Sequence, residues 1–254
     1  MMDPTPPNPI LVLGGTSEAR ALAQVLVDAG VPVISSLAGR VADPRLPVGE
    51  VRVGGFGGIV GLRDWLRDNA VRAVVDATHP YATTITAHAA TATSTLGIPL
   101  VRIRRPPWIP GEGDRWHSVP SLDAAADAVR HRARRVLLTT GRQDVGVFAG
   151  IESAWFLIRV VDPPTADLPP HHQLLTARGP YDFDNELALM RDNAIDTLVT
   201  KNSGGPLTRP KLDAARVAGV DVIMVDRPAE PDSGTVVDDV DGAVHWLTME
   251  LSRN

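Results

Sequence analysis

Ile10-Leu11-Val12-Leu13-Gly14-Gly15-Thr16-Ser17-Glu18-Ala19 decides how the rest of the chain is read. Four consecutive large apolar residues suit a short strand buried on both faces, and the two glycines supply a turn without Cβ clashes. Ala21, Leu22, Val25, Leu26 and Ala29 then recur at helical spacing, with Gly30 ending the segment. Strand, glycine turn and helix make the layout that holds a phosphate, because a helix N-terminus presents amide N–H groups and the positive end of its dipole. The dinucleotide fingerprint is met only in part, since Thr16 stands at its third position and Ala19 at its sixth. A tight turn in any α/β protein fits these ten residues about as well, so the next strand has to discriminate.

That strand is expected over Val31–Leu37, followed by the loop Ala38-Gly39-Arg40. A site for NAD places Asp or Glu here to accept from the ribose 2′-OH, whereas arginine suits a 2′-phosphate. The loop has no acid and has Arg40, which points to NADPH. Val51-Arg52-Val53 is a further short strand, and the flexible Gly54-Gly55-Phe56-Gly57-Gly58 lets backbone approach a ligand closely. Leu62, Trp65 and Leu66 mark a helix, and Ala73-Val74-Val75 is a buried strand running into Asp76-Ala77-Thr78-His79-Pro80-Tyr81. Ligands of open α/β sheets bind at that end of the strands. The cofactor set is therefore Gly14, Gly15, Thr16, Ser17, Glu18, Ser36, Ala38, Gly39, Arg40, Gly54, Gly55, Phe56, Thr78 and His79. A helix from Ala82 to Leu96 and a strand over Ile98–Ile103 complete a β-α-β-β-α-β-α-β series, which predicts a parallel sheet with helices on both faces.

The 254 residues allow one large domain or two, and 44% hydrophobic with 22% charged content is that of a soluble globular chain. A net charge of -5 argues against general nucleic-acid binding. Without cysteine there is no disulfide, thiolate site or thiol nucleophile, which fits a reducing cytoplasm. No apolar run reaches membrane-spanning length, and Met1–Pro9 reads as a tail without the marks of a signal peptide. No spacing of the histidines suggests a metal site.

Arg104–Gly113 holds three prolines and two glycines in ten residues and is the expected domain boundary, dividing the chain into 1–106 and 107–254. Beyond it, Trp116–Val119 is a candidate strand, and Ser121 the cap of a helix reaching Arg132. The second half repeats one device, a buried strand followed by a loop with glycine and a basic residue. Its instances are Thr139-Thr140-Gly141-Arg142-Gln143, Thr176-Ala177-Arg178-Gly179-Pro180-Tyr181 and Thr200-Lys201-Asn202-Ser203-Gly204-Gly205-Pro206. In the third, Thr208 can cap the following helix, with Pro210 in its first turn and Lys211 beside it. The amides of Ser203, Gly204 and Gly205 can then form an anion nest next to Lys201. Three such loops on one sheet edge predict a convergent anionic ligand. The last strand is expected over Val220–Val225, and the helix around Ala243 and Leu247 is read as structural.

Together LVLGGTSEARALA, VVDATHPYA, LLTTGRQ, ARGPYDFDNE, LVTKNSGGPLTRPKLDAA and VIMVDRP make a chain that resembles the precorrin-6A reductase family of cobalamin biosynthesis. The resemblance implies two Rossmann-like α/β domains with mostly parallel sheets and an active-site cleft between them. It also implies NADPH-dependent reduction of a polycarboxylated tetrapyrrole, with hand-over to neighbouring pathway enzymes. The substrate set is Thr140, Gly141, Arg142, Arg178, Gly179, Pro180, Lys201, Asn202, Ser203, Gly204, Gly205 and Lys211, whose cations answer the substrate's carboxylates. Lys201, His79 and Tyr81 are the candidates to supply the proton that accompanies the hydride. Two rivals stay open: a non-enzymatic NADP sensor, and a short-chain reductase, although neither Tyr81 nor Tyr181 has the lysine four residues on that the latter needs.

Overall fold

The computed structural model describes residues 8–39 and 44–252. In chain order its elements are β1 (Ile10–Leu13), α1 (Ser17–Asp28), β2 (Val33–Leu37), β3 (Glu50–Val53), α2 (Gly58–Asp68), β4 (Ala73–Asp76), α3 (Thr83–Leu96) and β5 (Leu100–Ile103). There follow β6 (Trp116–Val119), α4 (Leu122–Arg132), β7 (Arg135–Leu138), a 3-10 turn at Val145–Phe148, β8 (Trp155–Val160), β9 (His172–Thr176), α5 (Phe183–Asp192) and β10 (Thr197–Lys201). The chain closes with α6 (Pro210–Ala218), β11 (Asp221–Val225), β12 (Thr235–Val237) and α7 (Val240–Leu251). Arg40, on which the choice of NADPH turned, lies outside the described residues.

The strands form two six-stranded sheets, ordered β12-β5-β4-β1-β2-β3 and β6-β11-β10-β7-β8-β9. Every pairing among the described residues is parallel. Read from β3, the first sheet has the doubly wound order in which β1 is the switch point. Its double burial follows from the two-residue period of a strand. Ile10 and Val12 pack with Leu22 of α1 and Leu247 of α7, whereas Leu11 and Leu13 pack with Leu62 and Leu66 of α2 and Ala89 of α3. In the second sheet Leu137, Leu157, Leu198 and Val222 face Met190 of α5 and Leu212 of α6.

Three expectations are corrected here. The buried stripe of α1 is Ala19, Leu22, Ala23 and Leu26, and Val25 is 41% exposed. An i, i+3, i+4, i+7 stripe occupies one face, and the Ala21-Val25-Ala29 row lies a step round the helix from it. Thr208 does not cap α6, whose N-cap is Arg209 in helical geometry with no side-chain cap bond.

The largest correction concerns the domains. The chain divides into one unit running to Arg105 and resuming at Ala229, and a second of Pro106–Pro228. Residues 229–254 therefore belong with the first half, because β12 pairs with β5 and α7 supplies Ala243 and Leu247 to the core beside α1. Only the first sheet takes its outer strand from beyond the expected boundary, because β6 and its partner β11 both lie in the second unit. β6 follows β5 in sequence but pairs with β11, and β12 follows β11 but pairs with β5. β8 was not anticipated at all. Its Trp-Phe-Leu-Ile-Arg-Val run carries a buried arginine that interrupts the apolar signal.

Candidate functional site

In the first unit Gly14 and Gly15 turn the chain from β1 into α1. Gly15 has φ +111°, and a Cβ there would meet nothing within 4 Å, so the turn is open to a ligand. Thr16 caps the helix by accepting from the Ala19 amide at 3.2 Å and donates to the Ala77 carbonyl at 2.6 Å, tying the glycine turn to the end of β4. Glu18, in the first turn of α1, accepts from Ser17 Oγ at 3.0 Å and pairs with Arg105 at 3.1 Å. Burial raises the Glu18 pKa, but the Arg105 guanidinium with the nearby amide and hydroxyl donors outweighs it and holds the carboxyl below its ordinary value. Glu18 is thus an anchored anion beside the glycine turn, with Arg105 offsetting its charge.

On the β4 side Asp76 is 4% exposed and accepts three hydrogen bonds, from the Thr78 amide and from the hydroxyls of Thr78 and Thr86. It sets the course of the Thr78–Tyr81 loop. The Tyr81 amide donates to His79 Nδ1 at 3.4 Å, and the two rings lie 5.5 Å apart. Thr78 and His79 line a small cavity with Asp76, Arg102, Arg104 and Glu230. Glu230 there accepts from Arg102 at 3.0 Å and Arg104 at 3.3 Å, so two cations share one acid.

On the β2 side Ser36 is buried and accepts from Arg52 at 2.9 Å. Arg52 also donates to the carbonyls of Gly54 and Gly55, and its guanidinium lies 3.7 Å from the Phe56 ring centroid. Sequence reasoning took Ser36, Gly54, Gly55 and Phe56 as cofactor residues and missed the arginine that binds all four together. Its place in a short strand immediately before five loop residues was the available signal.

In the second unit the basic strand-end loops do sit at one sheet edge, since β7, β9 and β10 run parallel within it. Their cations are largely engaged. Lys201 Nζ pairs with Asp144, which follows the β7 loop, and Arg142 lies 3.7 Å from Asp162. Thr140 is buried, with its hydroxyl lacking a protein partner. Arg178 is exposed on the β9–α5 loop, where the Tyr181 hydroxyl donates back to the Ala177 carbonyl at 3.1 Å. The Tyr181 ring lies 3.9 Å from the Arg159 guanidinium, which pairs with Glu186 in the interior. β9 stands three strands from β10, so Arg178 and Lys201 are about 14 Å apart along the edge.

The β10–α6 loop differs from its expected form. Ser203 N already donates to the Lys201 carbonyl at 2.8 Å, which removes one of the three amides of the expected nest. Asn202 spends its amide group on Trp108, accepting from its N–H at 2.8 Å and donating to its carbonyl at 3.0 Å. Arg227, which is not among the predicted site residues, donates to the carbonyls of Asn202 and Ser203 and pins the loop from the end of β11. Gly204 has φ +69°, and a Cβ there would collide with the Pro106 carbonyl. Lys211 is withdrawn from the edge altogether. It is 5% exposed, 3.5 Å from Thr139 Oγ1 and 5.5 Å from the Trp108 ring centroid. Burial pushes its pKa down to about 7, with Arg159 adding to the fall and Glu186 opposing it. Lys211 falls on the buried face of α6 with Leu212, Ala214 and Ala215, which the loop reading did not weigh.

Among the described residues no cluster of His, Asp and Glu is arranged to hold a metal ion, and no helix is long and apolar enough to cross a membrane.

Residues 9–248 match the family model described as Precorrin-6x reductase CbiJ/CobK. The precorrin-6A reductase of Rhodococcus erythropolis is 55% identical over 239 residues, covering 94% of this chain and 96% of its own. That of Mycobacterium tuberculosis is 51% identical over 245 residues, covering 96% and 99%. A solved structure of CobK precorrin-6A reductase superposes with a TM-score of 0.91 at 40% identity, over 96% of this chain and 97% of the other.

Proposed function

The chain belongs to the precorrin-6x reductase family CbiJ/CobK, and from that premise we propose how its two units share the reduction of precorrin-6A in cobalamin biosynthesis. The first unit holds NADPH and the second holds the carboxylates of the tetrapyrrole. The observation that carries this division is the glycine turn at the switch point of a doubly wound sheet, open above Gly15 and capped by Thr16. The residues fit a dinucleotide: backbone and hydroxyl groups of Gly14 to Ser17 for the pyrophosphate, the β2–β3 ends for the adenosine, and the Thr78–His79 cavity for the nicotinamide. When bound, the nicotinamide supplies the hydride.

Precorrin-6A gains a hydride and a proton, and the chain's own task is to orient the macrocycle and deliver the proton. Lys201 is the proton donor in this reading, because Asp144 fixes the position of its ammonium at the end of β10. Arg178 and Arg142 take carboxylates at separate points of the edge, which fixes orientation as well as affinity. His79 and Tyr81 support the loop beside the nicotinamide. Arg40 answers the 2′-phosphate.

Absorbance spectra test the reading directly. The nicotinamide band should fall as the tetrapyrrole spectrum changes, with NADPH favoured over NADH. Arg40→Ala should weaken NADPH and leave NADH nearly as before, and equal losses for both would remove Arg40 from the 2′-phosphate.

A further inference from the structure

Four arginines of the first unit stand near its strand ends in described positions, and they differ in one respect. Arg102 and Arg104 share Glu230, and Arg105 is held by Glu18. Among the described residues Arg52 meets no carboxylate. Its partners are the Ser36 hydroxyl at 2.9 Å, the Gly54 carbonyl at 2.9 Å, the Gly55 carbonyl at 3.0 Å and the face of Phe56. All are neutral, so the residue keeps a full positive charge that its surroundings immobilise without cancelling.

Donor accounting shows what is left. A guanidinium has five N–H donors, and the three hydrogen bonds use both on Nη1 and one on Nη2. The Nε–H and the second Nη2–H form the edge of the fork that remains, a pair suited to two oxygens of one phosphate. The fork is also fixed in advance. Ser36 is buried beneath it, Phe56 stacks on it, and the register places Arg52 opposite Ser36 across β2 and β3. Little side-chain freedom is lost when an anion arrives.

Position selects which anion. β1 is the switch point, with β4 and the Thr78–His79 cavity to one side and β2 and β3 to the other. An anion at Arg52 therefore lies on the side away from the nicotinamide. We infer that Arg52 is a specificity-determining residue that binds the 2′-phosphate of the NADPH adenosine, from β3 and not from the β2 loop where such a residue is usually sought. The inference rests on the first unit's being the cofactor unit.

Calorimetry with adenosine 2′-monophosphate and adenosine 5′-monophosphate, on the full chain without substrate, separates the possibilities. Wild-type protein should bind the 2′-phosphate compound more tightly. Arg52→Ala should weaken it by about tenfold or more and leave the 5′ compound nearly unchanged. Arg52→Lys keeps the charge without the fork and should fall between wild type and Arg52→Ala. In turnover the same variants should raise KM for NADPH and not for NADH. Equal losses for both nucleotides would show that Arg52 only braces the Gly54–Phe56 loop, and would overturn the inference while leaving NADPH in the first unit. A wild-type protein indifferent to the 2′-phosphate would overturn the underlying reading itself.

Discussion

The two units share one architecture, a parallel six-stranded sheet with its loops at one edge, and differ in what stands at the centre of that edge. In the first, the central groups at the edge are amides and hydroxyls around an open glycine turn, with Arg52 uncompensated. In the second, two of the basic residues come with acids already in place, Lys201 with Asp144 and Arg142 with Asp162, and Arg178 is exposed. An uncompensated cation gives affinity for a phosphate. A cation held by an acid gives less net attraction and more precise placement, because a ligand carboxylate must share it. In the proposed reading, the first unit holds its ligand tightly and the second aligns a large ligand whose several carboxylates each contribute modestly.

Removing Lys201 should break this contrast most severely. Lys201→Ala takes away the proposed proton donor and leaves Asp144 without its partner. Turnover should fall by about a hundredfold, within the range for loss of a general acid, while NADPH binding stays unchanged. Single-turnover kinetics check this. A loss confined to NADPH affinity would erase the distinction between the units.

A smaller effect sharpens the account of the second unit's interior. The Lys211 pKa is lowered from 10.5 to about 7 by burial, so between those values the unfolded chain binds the extra proton. Stability therefore rises with pH across that window, and the cost of charging Lys211 is present in full below about pH 7. Lys211→Met should be more stable than wild type at pH 6 by about 1 kcal/mol or more, an advantage that fades toward pH 10. Denaturant melts at the two pH values measure it. A variant less stable than wild type at pH 6 would show that the attraction of Glu186 outweighs the burial.

How much of this was legible in the sequence depended on whether the signal was local. β1, its glycine turn and the Asp76–Tyr81 group are continuous stretches whose chemistry is carried by neighbours, and each appears at a strand end as the sequence implies. The pairing of Lys201 with Asp144 spans 57 positions, and no local pattern announces it. The placement of β12 in the first sheet was hidden for a related reason. No strand was expected at Thr235-Val236-Val237, because three residues are too few for a periodic signal and nothing in them specifies which of two parallel sheets they join. The same holds for α7, whose apolar face suits any sheet until Ala243 and Leu247 are seen beside α1. Arg52 was overlooked because an arginine inside a strand reads as solvated, and only the fold shows Ser36 beneath it.

The division of labour between the units is tested most directly by titrating Arg178→Ala with precorrin-6A and NADPH separately. Arg178 is exposed on the β9–α5 loop, so its removal should spare the fold. The account predicts about a tenfold loss of precorrin-6A affinity with NADPH affinity unchanged, the expected cost of one charge-assisted bond. A loss of NADPH affinity, with the tetrapyrrole held as in wild type, would contradict it and reverse the roles of the two units.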